Sequence, residues 1–195
     1  MSKSQLMRMT STTVRRKIAQ LIVLGLMALG GFLGAHQISA DAKPGASAGE
    51  RATVVRLVDG DTMVVEIAHK RERLRLIGID TPESKDNDKA EKEARRTARD
   101  LNTILALGRR SFEFTQSKLP PGTEVALEFD TSPRDKYGRL LAYVYLPDGT
   151  MLNQLLVREG YARLFTDDFN HRYRDLLAKE YSDARRAKRG LWRND

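Results

Sequence analysis

Two segments rich in β-branched and aliphatic residues, Thr53 to Val58 and Met63 to Ile67, flank Asp59-Gly60-Asp61-Thr62. Asp-Gly between apolar runs predicts a hairpin. From Arg73 to Ile79, Leu74, Leu76 and Gly78 alternate with Arg73, Arg75 and Ile77. That period of two predicts a third strand with both arginines on one face, ended by Asp80-Thr81-Pro82. The period then changes. Between Asp88 and Leu107, Ala90, Ala94, Ala98, Leu101 and Leu105 recur near helical spacing among glutamate, lysine and arginine, which predicts a helix with one thin apolar stripe. Gly108 is expected to interrupt it, with a second short helix from Arg110 to Lys118 closed by Pro120-Pro121-Gly122.

Strands are expected again at Glu124 to Phe129 and, after a polar loop from Thr131 to Arg139, at Leu140 to Leu146, closed by Pro147-Asp148-Gly149-Thr150. Asn153 to Glu159 reads as a helix capped by Asn153 and stopped by Gly160. A last helix, about Asn170 to Arg189, carries Tyr173, Leu176, Leu177, Tyr181 and Ala184 on one stripe, and Leu191 and Trp192 beyond Gly190 predict a docked tail. Five short strands with inserted helices predict a mainly β fold with helices (α+β), a five-stranded OB-type barrel covered by helices, because closure removes exposed strand edges.

The N-terminal pattern is of another kind. Arg15-Arg16-Lys17 precede an apolar run from Ile18 to Ala35, and Ala40-Asp41-Ala42 has the small-x-small form of a cleavage site. Residues 1–42 are therefore expected to be an export signal or, if uncleaved, a membrane anchor formed by residues 18–35. Residues 43–50 read as a linker, and 51–195 as the globular domain. The expected location is exported, secreted or periplasmic, with membrane contact only through an uncleaved segment.

Charge adds little by itself. The chain of 195 residues carries 34 basic and 26 acidic groups, but five bases and one acid fall in the first 42 residues, leaving 29 against 25 in the remainder. That excess of four suits an anionic partner and equally suits simple solubility. The absence of cysteine excludes a thiolate zinc site and a cysteine nucleophile.

The candidate chemistry lies where strands end. Asp59 and Asp61 sit in the first turn, and Asp80 with Glu83 in the second. Any one such turn is explained by turn chemistry alone. Two of them, joined by Arg75 on the intervening strand and by Arg139 at the start of a later one, are a different matter. Oxygen ligands favour a hard cation, calcium, magnesium or manganese, whereas His69 and His171 are expected at the surface. Guanidinium groups grip phosphate and neutralise a phosphorane, a metal polarises it, and a glutamate handles water.

Asp59-Gly60-Asp61-Thr62, Arg75-Leu76-Ile77-Gly78-Ile79-Asp80-Thr81-Pro82-Glu83 and Asp135-Lys136-Tyr137-Gly138-Arg139-Leu140-Leu141-Ala142-Tyr143 closely resemble, in this order, the signature blocks of the staphylococcal nuclease family. The resemblance spans nearly all of residues 52–192, including Leu156 to Gly160 and Gly190-Leu191-Trp192. It implies the whole barrel with its helices and an endonuclease cleaving DNA and RNA with little sequence demand. It also implies Asp61, Asp80 and the Thr81 main-chain carbonyl around one Ca2+, Glu83 on the attacking water, and Arg75 and Arg139 on the phosphate. Lys136 and Tyr137 would contact nucleic acid, and no obligate protein partner is implied. Two departures stand out. Counted from Gly160, Thr166 with Phe165 beside it occupies the place of a second substrate-contacting tyrosine, and the helical stretch from Asp86 to Leu107 is longer than the family's usual loop. That stretch is expected to be an accessory helix packed by alanines rather than a lid. The alternatives are a catalytically silent OB-type module that binds nucleic acid or protein, and an envelope-tethered barrel serving an assembly.

Overall fold

The computed structural model describes residues 49–165, 170 and 172–193. The expected export segment, all but the end of the linker, Thr166 and His171 lie outside the described residues. The chain runs β1 (Glu50–Asp59), β2 (Thr62–Ile67), β3 (Lys70–Leu76), β4 (Ile79–Asp80), α1 (Asp88–Thr97), α2 (Leu101–Lys118), β5 (Glu124–Glu128) and β6 (Leu140–Tyr145). It continues through α3 (Leu152–Arg158), β7 (Arg163–Leu164), α4 (Arg174–Arg186) and a short 3-10 turn at Gly190–Trp192.

Five strands close into a barrel in the order β1-β2-β3-β6-β5, with β1 returning to β5. Every pair is antiparallel except β3 with β6, which run parallel with Leu74, Arg75 and Leu76 opposite Leu140, Leu141 and Ala142. Closure depends on β1. Its first residues pair with β5, its last with β2, and register shifts after Val54 and Leu57 bend it between the two, as bulges do in small barrels. Inward residues of all five strands, among them Val54, Met63, Leu74, Leu76, Leu127 and Val144, meet Leu152 and Leu156 of α3 and Leu177 of α4 in one core. The two-stranded β4–β7 ladder lies outside the barrel.

Three expected details are corrected. The helical stretch does not break at Gly108. It breaks at Ala98, which adopts a left-handed φ of 51°, and Asp100 then caps α2 through Thr103 N at 2.9 Å. Gly108 is buried inside α2 because a Cβ there would lie 2.0 Å from the main-chain oxygen of Glu83. Asn153 caps nothing. It lies inside α3, fully buried, accepting from Val144 N at 3.0 Å and donating to Ile77 O at 2.9 Å, so it ties helix to barrel. Finally, β3 begins at Lys70 rather than Arg73. The turn before it is formed by Ala68 and His69, both at positive φ, without the glycine or asparagine that marks such turns in a sequence. His69 is exposed, as expected, and so is the docked tail buried: Leu191 and Trp192 pack against Ala184.

Candidate active site

The β1–β2 turn, the end of β3 and the segment after β4 meet at one end of the barrel. Pairing puts Thr62 directly opposite Arg75, so the residue before Thr62 lies beside the guanidinium. Gly60 admits the third segment: a Cβ there would stand 2.9 Å from Thr81 Oγ1. The Gly60 carbonyl in turn accepts from Thr115 Oγ1 of α2 at 2.7 Å, which fixes the turn from behind.

Asp61 and Thr81 are both buried. Asp61 Oδ2 accepts from Thr81 N at 2.8 Å and from Thr81 Oγ1 at 3.1 Å, and its Oδ1 accepts from Thr62 Oγ1 at 2.9 Å. Arg75, only 7% exposed, forms an ion pair with Asp61 through Nη1. Through Nη2 it donates to Asp80 Oδ1 at 2.8 Å and to Ile79 O at 2.9 Å. Nη1 is buried against Asp61, so that end of the guanidinium is committed to the ion pair. Burial pulls the Arg75 pKa below its ordinary value, opposed by Asp80 and assisted by the charge of Arg139, which therefore lies within electrostatic reach.

Arg139 arrives on a loop rather than on a packed strand. Asp135 organises that loop, accepting from Tyr137 N and Arg139 N at 2.9 Å each, and from Arg139 Nε at 2.7 Å. The Arg139 Nη groups make no hydrogen bond or ion pair among the described residues. Tyr137 is 72% exposed, with Lys136 Nζ 5.1 Å and Arg139 Cζ 5.6 Å from its ring.

Glu83 is held from two sides. Lys89 Nζ of α1 lies 2.6 Å from Oε1 and 3.0 Å from Asp80 Oδ1, and Asn87 Nδ2 donates to Glu83 Oε2 at 2.9 Å. Burial opposes ionisation of Glu83, yet the hydrogen bonds from Lys89 and Asn87 hold its carboxyl below the ordinary value. Asp59 is the counterpart. Burial, and then the neighbouring charge of Glu83, push it up to about 6, while its Oδ1 accepts from Gly60 N at 3.0 Å and Ser84 N at 3.3 Å. Two carboxyl groups in contact thus have opposite protonation tendencies.

Arg75, Arg139, Asp61, Asp80, Thr81 and Glu83 are therefore brought to one region, and Lys136 and Tyr137 to the loop beside it. Among the described residues no three acidic or histidine side chains stand at metal-ligand spacing. The oxygen donors present, Asp61 and Asp80, are of the type a hard cation takes, and their negative charge draws cationic groups here: Arg75 pairs with both and Lys89 with Asp80. Sequence reasoning missed Asn87 and Lys89, counted Asp59 only among the clustered oxygen donors without foreseeing its raised pKa beside Glu83, and misread Gly108. An Asn-Asp helix start was visible at Asn87, but nothing local reveals which carboxylates that helix end meets. Phe165, half-exposed, has its ring 6.0 Å from Arg75 Cζ, so an aromatic face does border the site.

A small closed barrel with paired guanidinium groups, clustered carboxylates and an exposed tyrosine at one rim defines an OB-type protein equipped to act on a phosphate ester. Residues 73–194 match the model of the staphylococcal nuclease homologue family. The chain is 36% identical over 144 residues to a thermonuclease of Staphylococcus intermedius, covering 74% of this chain and 77% of that protein. It is 33% identical over 141 residues to a thermonuclease of Staphylococcus hyicus, covering 72% and 75%. It is also 35% identical over 139 residues to an uncharacterized endonuclease of Escherichia coli O157:H7, covering 71% and 74%. The chain belongs to the staphylococcal nuclease family, and with it to the nuclease hydrolases.

Proposed function

We propose that the chain is an exported, calcium-dependent nuclease that hydrolyses phosphodiester bonds in DNA and RNA without demanding a sequence. The observation that carries this reading is the meeting of Arg75, Arg139, Asp80 and Glu83 around one barrel end, where each senses the charge of another. Asp61, Asp80 and the Thr81 carbonyl would hold the metal ion. Bound there, the ion would polarise a phosphoryl oxygen as a Lewis acid.

The remaining work falls to this chain's own side chains. Arg75, fixed by Asp61, Asp80 and the Ile79 carbonyl, presents the phosphate with a positive charge already oriented by the fold. Arg139 adds the second guanidinium, whose Nη groups meet charge as it develops on the phosphorane. Glu83, ionised at neutral pH, accepts a hydrogen bond from the attacking water and orients it. Lys136 and Tyr137 contact the strand outside the reacting centre, through a phosphate and a base face. Backbone contacts are alike at every nucleotide, which accounts for weak sequence demand. Export rests on the charged, then apolar, order of residues 15–35.

Digestion of plasmid DNA and of RNA is the test. Calcium should support cleavage of both, a chelator should abolish it, and Glu83→Ala should lower turnover by about 10²-fold or more while the thermal unfolding midpoint is retained. Full activity of the variant would leave a nuclease whose water is handled by another group. Sequencing the N-terminus of the mature protein tests cleavage after residue 42.

A further inference from the structure

The helix α1, which lies between Glu83 and α2 along the chain, is joined to the active site by side chains rather than merely leaning on it. Its cap, Asn87, uses its carbonyl oxygen to accept from Lys89 N and Ala90 N at 2.9 Å each, which holds the first turn. The amide of the same side chain donates to Glu83 Oε2 at 2.9 Å. Lys89, within that turn, places Nζ 2.6 Å from Glu83 Oε1 and 3.0 Å from Asp80 Oδ1. One helical turn therefore supplies a donor to both oxygens of Glu83 and a cation shared with Asp80.

The helix is fixed in that pose. Ala90 is fully buried. Glu93, one turn beyond Lys89 and on the same face, is buried and ion-paired with Arg163 of β7. Arg163 stands directly opposite Asp80 in the β4–β7 ladder, so the helix is anchored to the strand that presents Asp80. Of the alanines expected to pack this helix, Ala90 is fully buried, Ala94 half-buried and Ala98 exposed. The side chains flanking Ala90 are charged and engaged.

We propose that Lys89 is a built-in competitor for the divalent cation, an ammonium that neutralises Asp80 and Glu83 until a metal displaces it from Asp80, and that it thereby sets the metal affinity of this protein. This rests on the assignment of Asp80 as a metal ligand above. An ammonium 3.0 Å from Asp80 Oδ1 and a hard dication bound to the same carboxylate compete for one anionic group and repel each other. The Lys89 stem, half-exposed and flexible, can release Asp80 while staying on Glu83, whereas Arg75, nearly buried and held at three acceptors, has no such freedom. The energetic consequence has a definite sign. Removing the ammonium makes the site one unit more negative, and ligand charge count is what tunes affinity for hard cations.

The experiment is calorimetric titration of the metal-free, full-length chain with calcium alone, without substrate, for wild type, Lys89→Met and Lys89→Arg. Lys89→Met keeps the length and apolar stem of the side chain and is expected to bind calcium on the order of tenfold more tightly than wild type. Lys89→Arg keeps the charge and is expected to stay within about threefold of wild type. Thermal unfolding of the metal-free variants confirms that α1 is intact. Calcium affinity in Lys89→Met equal to or weaker than wild type overturns the proposal while leaving the metal site standing. Binding detectable in Lys89→Met but not in wild type is the proposal's strongest support. Absence of binding in both removes the metal site and the proposal together.

Discussion

Arg75 and Arg139 offer the same guanidinium chemistry from two regions built in opposite ways. Arg75 belongs to the interior wall: it stands on β3 between β2 and β6, nearly buried, with Asp61, Asp80 and the Ile79 carbonyl around it. Arg139 belongs to the loop 131–139, where a single carboxylate, Asp135, organises two backbone amides and one guanidinium edge. The first region has its charges already desolvated and oriented before substrate arrives. The second holds its charges only partly buried, on a loop outside the barrel wall. Under the proposed function, fold and chemistry are entangled at Arg75 and separable at Arg139.

That separation is open to a direct break. Arg75→Met leaves the buried Asp61 without its counter-charge and Asp80 with Lys89 alone, and should cost about 3–5 kcal/mol of stability, read as a lower urea midpoint, as well as removing activity. Arg139→Ala should leave stability within about 0.5 kcal/mol and still lower turnover by about 10²–10³-fold. If both variants lose stability alike, the loop is part of the core scaffold and the contrast fails.

The same contrast explains what the sequence disclosed and what it withheld. Strand periodicity around Val54, Met63, Leu74 and Val144 exposed the barrel, since each inward side chain follows a local rule of two. The motif blocks named the candidate residues through their resemblance to a known family, and Asp61, Arg75 and Asp80, which lie on adjacent segments, meet at one barrel end. What local rules could not show was anything decided by a distant partner. Gly108 reads as a helix breaker, yet it is the flat spot that lets α2 touch the Glu83 backbone. Asn153 reads as a cap, yet its amide spans three main-chain groups from Ile77, Ala142 and Val144. Lys89 reads as a solvated helical charge, and only the docking of α1 through Glu93 and Arg163 brings it to Glu83.

Acidity sharpens the contrast on the loop side. Burial disfavours the charged form of Asp135, but the Arg139 guanidinium and the two loop amides outweigh it and hold its pKa below the ordinary 3.8. A depressed carboxylate stabilises its surroundings above the ordinary value, and that contribution disappears as pH falls through the lower, folded value. Amide exchange at Tyr137 and Arg139, corrected for the intrinsic rate, should therefore be flat from neutrality to about pH 4 and quicken below it. Asp135→Ala should show several-fold faster exchange already at pH 7, with no further step on acidification. A wild-type loop that stays protected well below pH 3 would mean that contacts other than Asp135 hold it.

The smallest expected effect is at Lys136, and it tests whether the loop meets substrate as a charge or as a surface. Lys136 Nζ lies over the Tyr137 ring at 5.1 Å, an exposed cation–π contact worth about 0.5–1 kcal/mol. A phosphate oxygen competes well with that, so the ammonium should transfer to the backbone when the strand binds and release a condensed counterion. Binding measured in chelator, where nothing is cut, should then weaken only a few-fold in Lys136→Ala, equally for any sequence. The slope of log affinity against log salt should become shallower by about 0.9 on duplex DNA and about 0.7 on single strands. An unchanged slope with weaker binding would mean that Lys136 never leaves the ring, and that its contribution is to hold Tyr137 flat for a base. The loop would then act through stacking, and Arg139 would be its one electrostatic contribution to the substrate.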